Sequence, residues 1–525
     1  MIQPKLGDAG ERRLGPVASG NVGGCRPVIP VVLGRPHRSW RRFRCWPAGR
    51  LTPRLCLCVG MLLASGWWGA PRLGAAPQED AFLELAAVCR PLAALVVENT
   101  VAVVGDQLAD APPMSRSCSP LPADARMLAY EEHAQFLHAV AGAGDGFGSP
   151  SQVAAPASSW TLVRRLVFLR PDVFIVDDFV MPAVSDTAVV WTVQFRRQPR
   201  AAGRQWLLAD GQRECLCETL YPRNSAVRQA GSVSGDPAEP RFTSEQRAGD
   251  KGVRWLHMAQ PRPAGTDQPA VTADCQEKDG QLELTVTTSE QVVRLTLPPP
   301  GSDAGWIGIQ AADGTVLMPR RPLASGVLPH GPEGVKLIER WDSAYRGERA
   351  GWDTGAPAPE LKRVVESGLV KPGRTVTFGC GTGASDIYLA SKGFEVTAID
   401  VSPTALGIAQ KKAEEAGVHV RWVLADVLHL PDLGQFDFFF DRGCYHHVRY
   451  VDAAGFQETL RRLARPGTRG LILSCDSDRP PGVREQHMRD DFAELFDIEW
   501  LRDSGVENRD GTPRRESWSL MLRRK

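Results

Sequence analysis

A chain of 525 residues is too long for a single hydrophobic core and corresponds to roughly two to four domains. Its 43% hydrophobic and 23% charged residues are those of a globular protein, and a formal net charge of +1 excludes a global attraction to nucleic acid or to an acidic membrane surface. The 12 cysteines are too sparse for a disulfide framework and show no zinc-site spacing, so no metal site is expected.

Residues 1–78 read as a disordered, signal-like segment. Arginine-rich residues 35–54 precede the apolar run Leu55–Ala64, and Ala70 and Leu73–Ala76 then supply small residues, the order of a secretory signal. At about 10–16 residues the run is short for a membrane span, so no stable transmembrane segment is expected.

Residues 79–318 read as an all-β sandwich. Leu95–Val104 is taken as a pair of strands. Leu162–Leu169 and Val173–Val180 are strands split by the turn Arg170-Pro171-Asp172. Ala188–Phe195, Leu282–Thr287 and Val292–Leu297 alternate, as half-buried strands do. Residues 228–250 and 260–270 are polar and rich in Gly and Pro, and read as long loops. Residues 319–334 have the composition of a linker.

From 335 to 525 the pattern becomes an alternation of strands and helices, which predicts an α/β Rossmann-like domain with a doubly wound parallel sheet. Strands are expected at 374–379, 395–400, 419–424, 436–441, 470–476, 496–502 and 516–523. Helices are expected from Val335 to Arg349 and at 358–367, 384–392, 403–416, 453–464 and 486–495. The helix at 403 is well punctuated, with Ser402 as N-cap, Pro403 at its first position and Gly417 just past its end.

The chemistry gathers where those strands end. Gly379-Cys-Gly381-Thr-Gly383 closes one strand and opens a helix, so bare N–H groups and the helix N-terminus can meet a ligand. By itself such a turn would equally serve a dinucleotide. The apolar strand Val396–Asp400 ends in an acid placed to accept ribose hydroxyls. Asp426, after the next strand, can accept from an adenine amino group. The strand Phe436–Asp441 then delivers Asp441, Arg442, Tyr445, His446 and His447 to the end of the sheet where ligands bind. Each histidine has a packing reading beside one of substrate contact. Cys380, Cys444 and Cys475 read as small buried thiols.

These residues resemble the class I S-adenosylmethionine (SAM)-dependent methyltransferases, and within them the thiopurine/tellurite-resistance branch. The resemblance rests on Trp352-Asp-Thr-Gly-Ala-Pro357, the Gly379/Gly381/Gly383 turn and Asp441-Arg-Gly-Cys-Tyr-His-His447, and covers 335–525. It implies a seven-stranded sheet with an antiparallel last strand. It also implies SAM as cofactor, with Gly379, Gly381 and Gly383 near its methionine part, Asp400 on the ribose, Asp426 on the adenine and Trp352 as a cover. Asp441, Arg442, Tyr445 and His446 are the candidate catalytic and pocket residues for a small-molecule acceptor, with a soft sulfur, selenium or tellurium nucleophile in view. The chain departs from the family at Thr377, where an Asp is usual, which leaves activity open.

A second resemblance links Glu98–Gln107 and Arg164–Asp178 to the C-terminal β-sandwich of heparinase II/III-like polysaccharide lyases. Glu98 stands where that family often has His, and there is no room for the helical toroid those lyases need, so no lyase activity is expected. Polysaccharide is the candidate partner of the sandwich, and nucleic acid is not expected. The alternative function is a secreted, carbohydrate-binding or lyase-derived sandwich with an inactive methyltransferase-like domain. The two halves disagree on compartment: SAM use favours the cytoplasm, the signal-like segment around 55–76 export.

Overall fold

The structure is a computed structural model that describes residues 96–104, 126–144, 160–182, 186–195, 198–209, 213–224, 228–230, 241–265, 271–299, 304–347, 350–475, 481–503 and 517–525. The signal-like segment lies outside the described residues. Among those described, no helix is long and apolar enough to cross a membrane.

Before residue 323 the described strands form antiparallel sheets of four, eight and five strands. The hairpin of Trp160–Leu169 and Val173–Pro182 sits inside the eight-stranded sheet, with Arg164 opposite Asp178 and Arg165 opposite Asp177. Alternation sends neighbouring side chains to opposite faces. Val167, Leu169, Val173 and Ile175 therefore share one face and pack on Leu284, Val286, Val293, Leu295 and Ile309 of the five-stranded sheet. The other face meets the four-stranded sheet, where Trp191 Nε1 donates to Asp178 Oδ2 at 3.2 Å and Trp255 Nε1 to Ser244 Oγ at 3.0 Å.

The register that pairs hydrophobic residues also pairs buried charges. Arg164 Nη2 donates to Asp178 Oδ2 at 2.6 Å. Arg165 and Arg254 both hold Asp177, at 2.8 and 2.7 Å, and Arg254 also donates to the Leu297 carbonyl. Burial pushes the Asp177 carboxyl up, but the two guanidiniums outweigh it and leave it below the usual range.

Three expectations for this region are corrected. Leu95–Val104 is one strand, Val96–Val104, not a pair, and it pairs with Thr187–Phe195. Residues 228–250 are not one loop, since Arg228–Ala230 pairs with Arg241–Ala248, which pairs in turn with Thr187–Phe195. Its buried face alternates Phe242 with the small Ser244 beneath Trp255, so the hydrophobic period is masked. Residues 260–263 extend the strand Val253–Pro263, where Pro261 stands opposite Cys215. Residues 231–240 and 266–270 lie outside the described residues.

Residues 319–334 hold the end of the strand Val316–Pro322, then Leu323, Ala324, Val327 and Leu328, all buried, then the start of α1 (Gly331–Arg346). The remaining helices are α2 (Pro359–Glu366), α3 (Ala384–Ser391), α4 (Pro403–Ala416), α5 (Tyr445–Leu463) and α6 (Glu485–Phe492). They alternate with β1 (Arg374–Phe378), β2 (Glu395–Asp400), β3 (Arg421–Leu424), β4 (Phe436–Arg442), β5 (Ala464–Cys475), β6 (Phe496–Asp503) and β7 (Ser517–Arg524). The seven strands lie in the order β3-β2-β1-β4-β5-β7-β6. β1 to β5 pair in parallel, and β7 runs antiparallel to β5 and β6. This is the Rossmann-like sheet with an antiparallel last strand that the resemblance implies. Strand order reverses between β1 and β2 on one side and β4 on the other, which opens a crevice at their C-terminal ends. Ser402 Oγ accepts from Ala405 N at 3.1 Å, the N-cap expected for α4, and Gly417 ends that helix in the left-handed region.

Candidate functional site

The glycine turn occupies that crevice. Gly379 and Gly381 take φ of 61° and 56°, which favour glycine. Each is also closely approached. A Cβ on Gly379 would lie 2.8 Å from Cys444 Cβ, and one on Gly381 2.9 Å from Tyr345 Oη. Gly383 serves packing instead: its Cβ would fall 2.5 Å from the Trp422 ring and 2.9 Å from Ala409 Cβ.

Three carboxylates ring the turn. Asp400, buried at the end of β2, accepts from Gly381 N and Ser402 N at 2.8 Å each, so one side chain ties the turn to the start of α4. Burial raises its pKa, and those backbone donors oppose the shift. Asp386 in α3 accepts from Thr377 Oγ1, and burial pushes it up to about 7. Asp441, fully buried at the end of β4, accepts from Tyr445 N at 2.9 Å and Cys444 N at 3.2 Å and is likewise pushed up to about 7 by burial. Among the described residues none of the three forms an ion pair with Lys or Arg. Burial also pushes the Cys380 and Cys444 thiols well above the usual range, so neither is a thiolate nucleophile.

Thr377, buried on β1, has a partner in the turn region. Its hydroxyl donates to Asp386, an acid in the first turn of α3, so a carboxylate stands directly against this position of β1. Sequence reasoning missed Asp386; its signal is an acid in the first turn of the helix that the glycines open. It also missed Asp342 of α1, which accepts from Ser402 Oγ at 2.7 Å and Thr404 N at 2.9 Å and so locks α1 across the start of α4.

Trp352 is 42% exposed beside the cleft and donates through Nε1 to Tyr345 Oη at 3.0 Å. Trp341 stands edge-on to it at 5.9 Å and to His447 at 4.7 Å. Next to it, Asp353 Oδ2 accepts from Thr382 Oγ1 at 2.6 Å, and Lys412 reaches the same hydroxyl at 2.7 Å. Asp426 follows β3, accepting from Leu428 N at 3.0 Å and facing His429 Nδ1 at 3.0 Å; that hydrogen bond raises the His429 pKa.

The candidates after β4 divide. Asp441 lines the turn, Arg442 is half-buried at the end of its strand, and His446 is buried against His447 at 4.5 Å. Tyr445 is not brought to the cleft. It is 1% exposed, packs on Phe456 and Phe492, and donates to Asp491 Oδ2 at 2.6 Å, which Arg449 also holds. Tyr445→Phe is therefore expected to leave methyl transfer within about twofold of native and to cost about 1.5–3 kcal/mol in denaturant unfolding, the loss of one buried bond to a charged group. A large fall in turnover at native stability would return Tyr445 to the cleft.

The Methyltransferase domain family matches residues 376–467, the stretch from β1 into β5 that carries Gly379, Gly381, Gly383, Asp386, Asp400, Asp426 and Asp441. The region is a SAM-dependent methyltransferase. Its cofactor is SAM. The methyltransferase region is 29% identical over 179 residues to 2-heptyl-1-hydroxyquinolin-4(1H)-one methyltransferase of Mycobacteroides abscessus, covering 31% of this chain and 78% of that protein. It is 25% identical over 144 residues to "Probable thiol methyltransferase 2" of Arabidopsis thaliana, covering 27% of this chain and 64% of that one. A solved structure titled "Conversion of a Disulfide Bond into a Thioacetal Group during Echinomycin Biosynthesis" is 32% identical, covers 36% of this chain and 93% of its own, and has a TM-score of 0.33. The residues of the methyltransferase cleft fit a sulfonium cofactor. Buried acids with raised pKa values and, among the described residues, no paired cation are the complement of a cation, and Gly379 and Gly381 pack so closely on Cys444 and Tyr345 that neither has room for a side chain.

Proposed function

We propose that this chain transfers a methyl group from SAM to a small-molecule acceptor with a soft sulfur, selenium or tellurium nucleophile, in the manner of the thiopurine/tellurite branch. The observation that carries the cofactor assignment is the ring of Asp386, Asp400 and Asp441 around the glycine turn, with no paired cation among the described residues. Bound SAM supplies a methyl on a positively charged sulfur that departs as a neutral thioether.

The chain's own residues do the positioning. Gly379 and Gly381 present bare backbone to the methionine part, Asp400 turns to the ribose hydroxyls, Asp426 receives the adenine amino group and Trp352 covers the mouth. Asp441 and Arg442 shape the acceptor pocket, with His446 as a substrate contact. Alignment of nucleophile, methyl and sulfur supplies much of the rate, so no strong base is needed. The thiol methyltransferase among the relatives supports the same acceptor class.

The proposed division places the methyltransferase at 335–525 and the β layers at 79–318, joined through 319–334. The layers are read as a heparinase II/III-like β-sandwich without lyase activity, with polysaccharide as candidate partner, on the resemblance of Arg164–Asp178. The secreted, inactive alternative is not favoured, because the family match and the relatives are methyltransferases.

The test is methyl transfer from labelled SAM to hydrogen sulfide, an aromatic thiol and selenite. Labelled methylated product is expected with at least one. Turnover confined to oxygen or nitrogen acceptors would reject the soft-nucleophile class. The acids also set a pH dependence. Burial lifts Asp386 and Asp441 from 3.8 to about 7, so the ligand-free fold loses stability as pH rises from about 4 to about 7. The sulfonium favours the ionised acids. SAM affinity should thus rise roughly tenfold from pH 6 to 8, and that of the uncharged-sulfur product S-adenosylhomocysteine much less. Parallel pH profiles for the two ligands in calorimetry would contradict this.

A further inference from the structure

Residues 320–330 carry the chain from the five-stranded sheet to α1 along the outer edge of β3. Ala324 bridges Leu424 in parallel, and Ser325 N donates to the Leu424 carbonyl at 2.9 Å. The seven-stranded sheet is thus extended beyond β3, two residues before Asp426.

The same segment is anchored in the β layers. Tyr130, fully buried, donates through its backbone N to Gly326 O at 3.2 Å and accepts from Leu328 N at 2.9 Å. Glu131 accepts from Arg321 at 2.5 Å and from Ala324 N at 3.1 Å, in a buried pair. His330 then stacks edge-on to Tyr130 at 5.2 Å and leads into α1, which carries Trp341, Asp342 and Tyr345.

Contact with the loop after β3 is tight. A Cβ on Gly326 would lie 2.9 Å from the His429 carbonyl oxygen, 3.3 Å from Ala425 Cβ and 3.3 Å from Pro431 Cδ. Ala425 N is itself bonded to the Asp400 carbonyl at 3.1 Å, and His429 faces Asp426. Gly326 therefore presses on the loop that presents Asp426 and joins the end of β2.

We propose that residues 323–328 are a strap through which the β layers hold the 425–431 loop in its cofactor-binding shape, with Gly326 as a positioning residue for adenine recognition. The proposal rests on the assignment of Asp426 to the adenine. It makes the β layers part of the cofactor site's architecture, acting through a loop they contact and not through any group that meets the ligand.

The test uses the full chain and calorimetry with adenosine and S-adenosylhomocysteine. Gly326→Ala is expected to weaken both roughly tenfold. It should add little further loss in an Asp426→Ala background, because both changes act on one contact. A merely structural role would lower the melting midpoint and give additive losses, and additivity overturns the proposal. So does native adenosine affinity in Gly326→Ala. If Asp426→Ala alone binds as the native chain does, the adenine assignment fails and the strap's role with it. That result is distinct from an Asp426-dependent site indifferent to Gly326. Hydrogen exchange on the native chain gives a second measurement that needs no variant. S-adenosylhomocysteine should slow the Ala324 and Ser325 amides together with those of Ala425 and Leu428. Unchanged strap amides beside a protected loop would overturn the proposal.

Discussion

Asp400→Ala is expected to weaken SAM binding by about a hundredfold or more. The carboxylate is proposed to accept both ribose hydroxyls, and each hydrogen bond to a charged group is worth about 1.5–3 kcal/mol. It also accepts from Gly381 N and Ser402 N, so its removal relaxes the turn itself. Asp400→Asn separates the two effects, because it keeps an acceptor for one backbone N–H and removes the charge. It should fold near native stability and bind about tenfold more weakly. Titration calorimetry beside a melting curve reads both quantities. Native affinity in a folded Asp400→Ala protein would move the ribose elsewhere.

The second large effect lies far from the cofactor. Asp177→Ala should destabilise the chain by about 3–5 kcal/mol in denaturant unfolding, because Arg165 and Arg254 would be left buried without their shared partner. Burial already lowers Arg165 to about 10, and Asp177 is what offsets that cost. A loss below about 1 kcal/mol would mean that other acceptors, such as the Leu297 and Pro298 carbonyls, suffice for the guanidiniums. The same geometry gives Arg164-Arg165 and Asp177-Asp178 a structural purpose: both pairs are buried between sheets, where no polysaccharide can reach them.

The methyltransferase region was legible because its signals are local. A glycine turn between strand and helix, an acid ending the next strand, and an N-cap followed by proline each state their structure within a few residues. Seven strands and the antiparallel last one emerged from that alternation together with the resemblance. Tyr445 was not legible. Its place in the motif pointed to the cleft, but the first turn of α5 rotates it into the aromatic core, where Asp491 from a distant helix receives its hydroxyl. Nothing near residue 445 announces that partner.

The polar strand Arg241–Ala248 was missed for a related reason. Its buried face uses Ser244 under Trp255, so burial there comes from a small side chain and a hydrogen bond rather than from hydrophobicity. Leu323–Leu328 has the Pro- and Gly-rich flanks of a linker, and its burial depends on β3, about a hundred residues away in the chain. Asp386 meets Thr377 only once the glycine turn folds α3 back against β1, a contact across nine residues that no local pattern announces.

A crystal structure of the full chain with S-adenosylhomocysteine tests the central claim most directly. The predicted result is one ligand in the crevice between β1, β2 and β4, its amino-acid part over Gly379 and Gly381, its ribose hydroxyls on Asp400 and its adenine at Asp426. A ligand bound elsewhere, or a crevice that stays closed at saturating ligand, would contradict it.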